Sequence, residues 1–557
     1  TVKWAFCPTY SSGTPQGMSK DPALNGAGST SVKSQLPVNY NSWNDAAFQS
    51  NGNIVVVGAV EWSSYDFDPI GGSQVEIFPF GLSDIIMAIY DTQGNLVWLH
   101  HTGANQNYAK SVAVDQNDDY VVGGFHDGAS IDFDPGGTGV SPIGSILGGF
   151  VTKYNQAGDV QWSFALGSGY SDVVNAIATD ASNNIIVGGT YGQSIPLELN
   201  PIGTSYPVFI NGGLDTYLAK YDENGIIQWG FLLGDGANDD EIYSVTTDPN
   251  GDIYVAGRCG QTVDFDPLGA GMVMTGSANE NGFLAKYDAN GQLLWVNMYE
   301  GTGINKATNV EYSNNEVLVT GSFQNSIDLD PSGAGNVVTA VGGSDGFVVR
   351  VDRSTGEAIA GWSIGSSQNL SAQGAFNNSI TGTFQVFGSG RSQIFSDPNQ
   401  ATTPQASGGA QAKFYEAVYC YPINLTHTVS TDACEDDPAF QIAGASLTGG
   451  DYSGVGVINN QFYPSLTGVG SFPLTYDYTS PYGCSAQTNT TVNVVALPNV
   501  VLGLVPNACE NDDLVQLSGG LPAGGIYSGN GISNGMIDPQ AAGNGPHLVT
   551  YEYTDPG

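Results

Sequence analysis

Apolar and polar residues alternate along this chain in short runs, and the runs come in sets of four. Between residues 242 and 296 the set is 242–247, 253–258, 283–287 and 292–296. Short runs of this kind bounded by turn residues predict four β-strands. Asp248-Pro249-Asn250-Gly251-Asp252 turns the first strand into the second. Asp288-Ala289-Asn290-Gly291 turns the third into the fourth, with Gly at the left-handed position of a hairpin. A long polar loop joins the second strand to the third and opens with Asp264-Phe265-Asp266-Pro267.

Nearly everything from residue 2 to residue 421 repeats this unit. A tryptophan marks each fourth strand: Trp4, Trp98, Trp162, Trp229, Trp295 and Trp362. From Trp98 onward the spacing is 64–67 residues; the first interval is 94, and its excess fits a Gly-, Ser- and Pro-rich insertion around 11–37. A sixth, degenerate copy over 370–421 has three strands and no fourth, whereas 2–6 reads as a fourth strand without its three. The expected architecture is therefore all-β: a six-bladed β-propeller over 1–421, closed by the N-terminal strand. A linear β-solenoid would leave both orphans unexplained.

Past residue 421 a second repeat begins. Cys434, Tyr452-Ser453-Gly454, Pro464 and Tyr476 recur 75 residues later as Cys509, Tyr527-Ser528-Gly529, Pro539 and Tyr551. The spacing predicts two β-sandwich modules, 422–497 and 498–557, with a disulfide between Cys434 and Cys484. The counterpart of Cys484 in the second module would fall near 559, so the chain is expected to belong to a longer array. Cys7 and Cys420 lie on strands expected to be neighbours, but their antiparallel register puts them at opposite ends, too far for a disulfide. They are left unpaired, as is Cys259.

Charge narrows the function. The 557 residues carry 13 Lys plus Arg against 53 Asp plus Glu, a formal net charge of −40. Such a surface repels phosphate backbones and excludes nucleic acid as a partner, while it attracts cations. No apolar run is long enough to span a bilayer. The start at Thr1, straight into a strand, is expected to be a processed N-terminus.

The candidate chemistry is carboxylate chemistry. Asp66 and Asp68, Asp132 and Asp134, Asp264 and Asp266, and Asp328 and Asp330 form Asp-Phe-Asp-Pro motifs or the Asp-Leu-Asp-Pro variant; Glu198-Leu199-Asn200-Pro201 softens the pattern. Residues two apart on an extended segment point the same way, so each motif holds two anions side by side with an apolar residue turned inward. Ca²⁺ with oxygen ligands would compensate them; so would backbone amides in a tight turn. Asp115/Asn117/Asp119 and Asp248/Asn250/Asp252 have the spacing of the start of a calcium loop but lack its closing Glu, and read as Asx turns. His100 and His101 are expected on the long-loop face near His126 and Asp132, solvated unless they bind a metal. There is no His-Glu-x-x-His, and no catalytic residue is assigned.

The units, as in Leu284-Ala285-Lys286-Tyr287-Asp288 followed by Trp295, resemble secreted β-propeller repeats of Bacteroidetes surface proteins. The modules with Cys434, Tyr452-Ser453-Gly454 and Tyr482-Gly483-Cys484 resemble Ig-like repeats of very large adhesins of the same group. The resemblance implies tandem Ig-like β-sandwich domains, export by type IX secretion and a place outside the cell or on its surface. It implies a propeller head on an Ig-like stalk, binding a glycan, a protein or a second copy through the long-loop face. The alternatives are an accessory part of a secretion or gliding machinery and a polysaccharide-active enzyme.

Overall fold

The computed structural model describes residues 41–554 except 62–64, 68–74, 78–81, 104–105, 128–130, 135–146, 168, 170, 193–195, 210–213, 235–238, 277–279, 314, 367–369, 379–382, 391–393, 396–412, 421–424, 428–430, 480–484 and 506. Between 370 and 420 it describes backbone only, Ala372 apart. The protein divides into two units, one running to Pro422 and the other beginning at Ile423.

The first unit is a succession of antiparallel meanders. Sheet 1 has strands Asn41–Phe48, Ile54–Glu61, Ser83–Tyr90 and Leu96–Thr102. Sheet 2 has Tyr108–Val114, Tyr120–His126, Gly148–Tyr154 and Val160–Leu166. Sheet 3 has Val173–Thr179, Ile185–Tyr191, Asp215–Tyr221 and Ile227–Leu233. Sheet 4 has Glu241–Thr247, Ile253–Cys259, Asn281–Tyr287 and Leu293–Tyr299. Sheet 5 has Asn305–Ser313, Glu316–Phe323, Asp345–Asp352 and Ala358–Ser366, with Ile394–Phe395 added at its edge. Sheet 6 has Leu370–Asn378, Thr383–Gly390 and Lys413–Cys420. Among the described residues no sheet closes on itself. The expected strand at 2–6 lies outside them.

The second and third strands are buried on both faces; Ser83–Tyr90 and Tyr120–His126 have no exposed residue. The reason is that each sheet is sandwiched between its neighbours. One apolar layer joins Val55, Val57, Ile85 and Met87 of sheet 1 to Val112, Val122 and Phe150 of sheet 2. Equivalent layers lie between sheets 2 and 3, 3 and 4, and 4 and 5. The hydrophobic effect thus holds the sheets face to face in sequence order.

The first strands run beside one another. Asn44 Nδ2 donates to the Ala109 carbonyl at 2.6 Å, Thr247 Oγ1 to that of Thr179 at 2.8 Å and Thr308 Oγ1 to that of Ala372 at 2.9 Å. Each carries a β-bulge at the same repeat position, at Asn44, Lys110, Asn175, Tyr243, Thr308 and Gln373. A bulge bends its strand and re-aims a side chain. Electrostatics reach further. Burial, and then the Asp45 carboxylate of sheet 1, push the Glu311 carboxyl of sheet 5 well above its ordinary value. Burial pulls Lys110 of sheet 2 down, and Glu241 of sheet 4 opposes that shift.

The tryptophan repeat has a physical basis. Trp162, Trp229 and Trp295 donate through Nε1 to the carbonyls of Glu223, Ala289 and Arg353, in the last hairpin of the next sheet, at 3.0–3.2 Å. Each ring lies over that hairpin's Gly: a Cβ on Gly291, at φ +80°, would stand 3.0 Å from Trp229. Trp362 departs from the series. It pairs with Val348, whereas the register of Trp229 with Lys220 and Trp295 with Lys286 puts Ala360 at that position in sheet 5, opposite Arg350.

The second unit contains the 75-residue repeat as structure. Strands Thr431–Cys434, Ser485–Val495, Gly470–Thr479 and Asp451–Gly454 form one sheet, and Phe440–Gln441, Gln461–Phe462 and Val457–Ile458 a smaller one. Tyr476 Oη donates to Leu447 O at 2.9 Å and accepts from the Gly450 amide at 2.7 Å. Tyr551 repeats both bonds, with Pro522 O and the Gly525 amide. The Cys434 amide donates to Asp437 Oδ2 as that of Cys509 does to Asp512 Oδ2, both at 2.7 Å. Cys484 lies outside the described residues, and with it the expected disulfide.

Candidate functional site

Because each sheet is an antiparallel meander, its two tight hairpins fall at one end. The connections between sheets and the second-to-third strand segments fall at the other. Those segments are not the plain loops expected from sequence. In sheets 1, 3, 4 and 5 each holds a two-stranded ribbon: Tyr65–Asp66 with Glu76–Ile77, Leu197–Glu198 with Pro207–Val208, Thr262–Asp264 with Val273–Thr275, and Ser326–Asp328 with Val337–Thr339.

The Asp motifs sit at the ribbon turns. Asp264 Oδ1 accepts from the amides of Asp266 at 3.0 Å and Met272 at 2.7 Å. Asp328 Oδ1 does the same with Asp330 at 3.0 Å and Asn336 at 2.7 Å, and Glu198 Oε1 with Asn200 and Tyr206. Asp266 Oδ2 accepts from the Ala270 amide. Asp132 Oδ1 takes the Asp134 amide at 2.9 Å. The middle residues, Phe133, Leu199, Phe265 and Leu329, are fully buried. The hydroxyls of Tyr90, Tyr221 and Tyr287 donate to the carbonyls of Phe67, Leu199 and Phe265 and pin the turns to their sheets. Asp66 pairs through its backbone with Glu76, and Asp68 lies outside the described residues.

At the opposite end, the acidic turns are compensated by buried lysines. Asp115 Oδ1 accepts from the Asn117 and Asp119 amides while its Oδ2 meets Lys153 Nζ at 2.7 Å. Lys220 pairs with Asp180 at 2.9 Å and Lys286 with Asp252 at 2.7 Å. These lysines are 2–6 % exposed, so the third-strand Lys-Tyr pattern is the signal that explains the turns.

The connection end holds an open cleft of about 980 Å³ between sheets 4 and 5, lined by Glu280, Glu300, Thr302, Asn325, Ser326 and Asp328 among others. The link after sheet 4 forms one wall and the ribbon of sheet 5 the other. The Asp328 amide donates to Glu300 O at 2.8 Å, and the Thr302 and Ser326 hydroxyls lie 3.1 Å apart. Asn325, at φ +57°, donates through Nδ2 to Thr302 O at 3.3 Å. Behind the cleft, Arg258 pairs with Glu280 at 2.7 Å and Glu241 at 2.9 Å. Two of the cleft's carboxylates are thus already engaged, Glu280 by a guanidinium and Asp328 by amides. The lining mixes hydroxyls, amides and acids with the apolar side chains of Ile304 and Val337 and includes no aromatic residue.

His100 lies at the junction of sheets 1 and 2. Burial pulls its pKa down to about 4, the neighbouring His101 adds to that, and the Asp132 carboxylate and carbonyl oppose it. The expected proximity of His100 to Asp132 is present, but His100 is buried on its strand and not solvated, and the carboxylate that acts on His101 is Asp84. His126 is fully buried beside Asp127, its pKa also lowered to about 4 by burial, and is not solvated. Sequence reasoning missed Asn107, Asp172, Asp240 and Asn305, each at most 1 % exposed at the start of a first strand. Asn107, Asp172 and Asp240 accept from the amides of Asp127, Gly192 and Gly260 just past the second strand. Their recurrence every 65–68 residues was the available signal. Among the described residues, one trio of possible metal ligands converges within 4.8 Å: Cys434, Asp436 and Asp437, in the second unit.

Residues 228–258, from the last strand of sheet 3 through the second of sheet 4, match the model of a β-propeller repeat family. The chain is 27% identical over 270 residues to an uncharacterized WD repeat-containing protein of Acanthamoeba polyphaga mimivirus, covering 43% of this chain and 19% of that one. It is 25% identical over 177 residues to the regulatory protein FlaEY of Caulobacter vibrioides, covering 32% and 17%. The chain thus spans about a fifth of the length of the curated relatives it matches. Among solved structures, a polysaccharide lyase, Uly1, is similar at 10% identity and a TM-score of 0.32, covering 68% of this chain and 78% of that one. The extracellular domain of a putative hybrid two component system from B. thetaiotaomicron is similar at 11% identity and a TM-score of 0.14, covering 81% and 80%. At those scores the two likenesses carry no inference. No helix among the described residues is long and apolar enough to cross a membrane.

Proposed function

We propose that the first unit is a six-bladed β-propeller completed by the N-terminal strand, and that the second is a pair of Ig-like modules serving as a stalk. The protein is an extracellular or cell-surface binding and structural protein. It engages a glycan or protein through the end of the sheets that carries the ribbons and the cleft. The carrying observation is the ordered packing of the first strands, with Asp45 of sheet 1 acting on Glu311 of sheet 5 and Glu241 of sheet 4 acting on Lys110 of sheet 2. Charges two sheets apart reach each other when the sheets turn about one axis, and not when they stack in a line about 10 Å apart. Binding rather than catalysis is the reading we favour because Glu280 is paired with Arg258 and Asp328 Oδ1 accepts two amides, so both carboxylates have structural roles at the cleft.

The test is a glycan and extracellular-matrix protein array probed with the full chain and with Glu300→Lys. The reading expects retention of one polymer class, weakened at least about tenfold by a reversed charge in the cleft. Release of shortened saccharides would replace it with the enzymatic reading, and retention indifferent to Glu300 would move the site elsewhere.

Ca²⁺ enters this reading only at the motif oxygens the amides leave over, such as those of Asp266 and Asp330. Since amides already compensate Asp132, Asp264 and Asp328, a chelator is expected to leave Tm unchanged. A fall of several degrees, restored by Ca²⁺, would assign the ion to Asp264, Asp266, Asp328 and Asp330.

A further inference from the structure

We propose that Lys110, Asn175 and Tyr108, on the neighbouring first strands of sheets 2 and 3, form a receptor for the carboxylate of an acidic sugar. The site is separate from the cleft between sheets 4 and 5, so its failure would leave the reading of that cleft standing. The first observation is an unmatched cation. In this acidic chain the other bases are paired: Lys153, Lys220, Arg258, Lys286, Arg350 and Arg353 each meet a carboxylate at 2.7–3.2 Å. Among the described residues, Lys110 and Lys306 have no such partner. Lys110 is partly buried, and the acid that acts on it, Glu241, is committed elsewhere. Glu241 Oε2 accepts from Tyr243 Oη at 2.6 Å and from Arg258 Nε at 2.9 Å. An ammonium drawn out of water without a counter-ion is costly, and a ligand carboxylate would offset that cost.

The second observation is a break in the repeat. Lys110 and Asn175 stand at the bulge of their first strands, as Asn44 and Thr308 do in sheets 1 and 5. Asn44 and Thr308 spend their side chains on a carbonyl of the next first strand, at Ala109 and Ala372. Lys110 makes no hydrogen bond, and Asn175 Nδ2 has no partner although the residue is only 7 % exposed. The two strands are held side by side: the Ile177 amide donates to Ser111 Oγ at 3.0 Å and Thr179 Oγ1 to Val114 O at 2.8 Å. Adjacent strands thus carry unmatched N–H donors at the same level, a combination that selects an anion.

The third observation is an aromatic wall. Tyr108 lies two residues before Lys110 on the same side, with its ring centre 5.8 Å from Nζ, and stacks on Phe125 at 5.3 Å. A flat apolar face beside a point charge suits a sugar ring that carries one carboxylate. The acidic surface repels anions at long range, but salt screens that field beyond about 8 Å, so a single carboxylate is admitted where a dense polyanion such as nucleic acid is not.

The test is titration calorimetry on the full chain with galacturonate, and with galactose as the neutral control. Galacturonate should bind at least about tenfold more tightly than galactose, and Lys110→Met should remove that difference while Lys110→Arg keeps part of it. Asn175→Ala should weaken galacturonate and leave galactose alone. Trigalacturonate distinguishes the sources, and both outcomes support the site: tighter binding than the monomer assigns it to an acidic polysaccharide, equal binding to a free sugar acid. A second readout needs no variant. Galacturonate, and not galactose, should slow acetylation of Lys110 by an amine-reactive ester, followed by peptide mapping. Equal affinity for the two sugars, galacturonate binding unchanged by Lys110→Met, or acetylation of Lys110 indifferent to galacturonate would each overturn the proposal.

Discussion

Lys220 and Asp180 illustrate how much a single pair decides. Both side chains are under 5 % exposed and 2.9 Å apart, and Lys220 also donates to the Ala289 carbonyl of the next sheet. Removing one partner of a buried pair strands the other charge, so Lys220→Met should cost about 3–5 kcal/mol by chemical denaturation. From sequence, Asp115, Asp248 and their neighbours are legible as Asx turns. What compensates them is not, because the lysine comes some 38 residues after Asp115 on a different strand. His100 makes a second case. Phe164 and Phe231 occupy its position in the next two sheets, and its folded pKa lies near 4. A base whose folded pKa is depressed binds fewer protons than the unfolded chain between about pH 6.5 and 4, so its contribution is intact above that window and lost below it. Glu311 has the opposite sign: its raised pKa contributes at low pH and is lost as pH rises past the ordinary carboxyl range. His100→Phe should therefore flatten the acid limb of Tm against pH, and Glu311→Gln the limb on the alkaline side of the ordinary carboxyl pKa. Curves unchanged by either would contradict these assignments.

Elements were legible where they are long and repeat. The fourth-strand tryptophans and the Asp-x-Asn-Gly hairpins marked the strands, and the reason is now concrete: the ring needs a Gly beneath it. Gly291→Ala, with φ +80° and Trp229 3.0 Å from the new methyl, should cost about 1–2 kcal/mol in urea denaturation. Trp229→Phe gives up part of the buried ring as well as the bond to Ala289 and should cost about 1–3 kcal/mol. The ribbons escaped notice because strands of two or three residues, such as Thr262–Asp264, are too short to show alternation. The exception at Trp362 was hidden as well. An interval of 67 residues fits the series, but the sheets step by 64 there, from Phe283 to Phe347.

At the scale of the whole molecule, the repeat spacing pointed to blades, and the meanders are present in sequence order. The arrangement about one axis that we propose could not be read from any single unit, because it depends on contacts between first strands, such as Asn44 with Ala109 and Thr308 with Ala372. The candidate site was legible in its location, at the end carrying the longest connections, and illegible in its chemistry. The Asp motifs that drew attention there serve largely as caps, while the cleft draws on Glu300, Thr302 and Asn325, which belong to no motif. The arrangement can be tested by distance. Gln93, Glu223 and Ser354 are exposed and occupy the same hairpin in sheets 1, 3 and 5. Spin labels carried on non-natural amino acids at 93 and 223, and at 93 and 354, give two distances by pulsed electron resonance. A closed ring of six predicts that they are nearly equal, since sheets 3 and 5 each stand two steps from sheet 1. A 93–354 distance about twice the 93–223 distance, as a linear stack of sheets requires, would contradict the account.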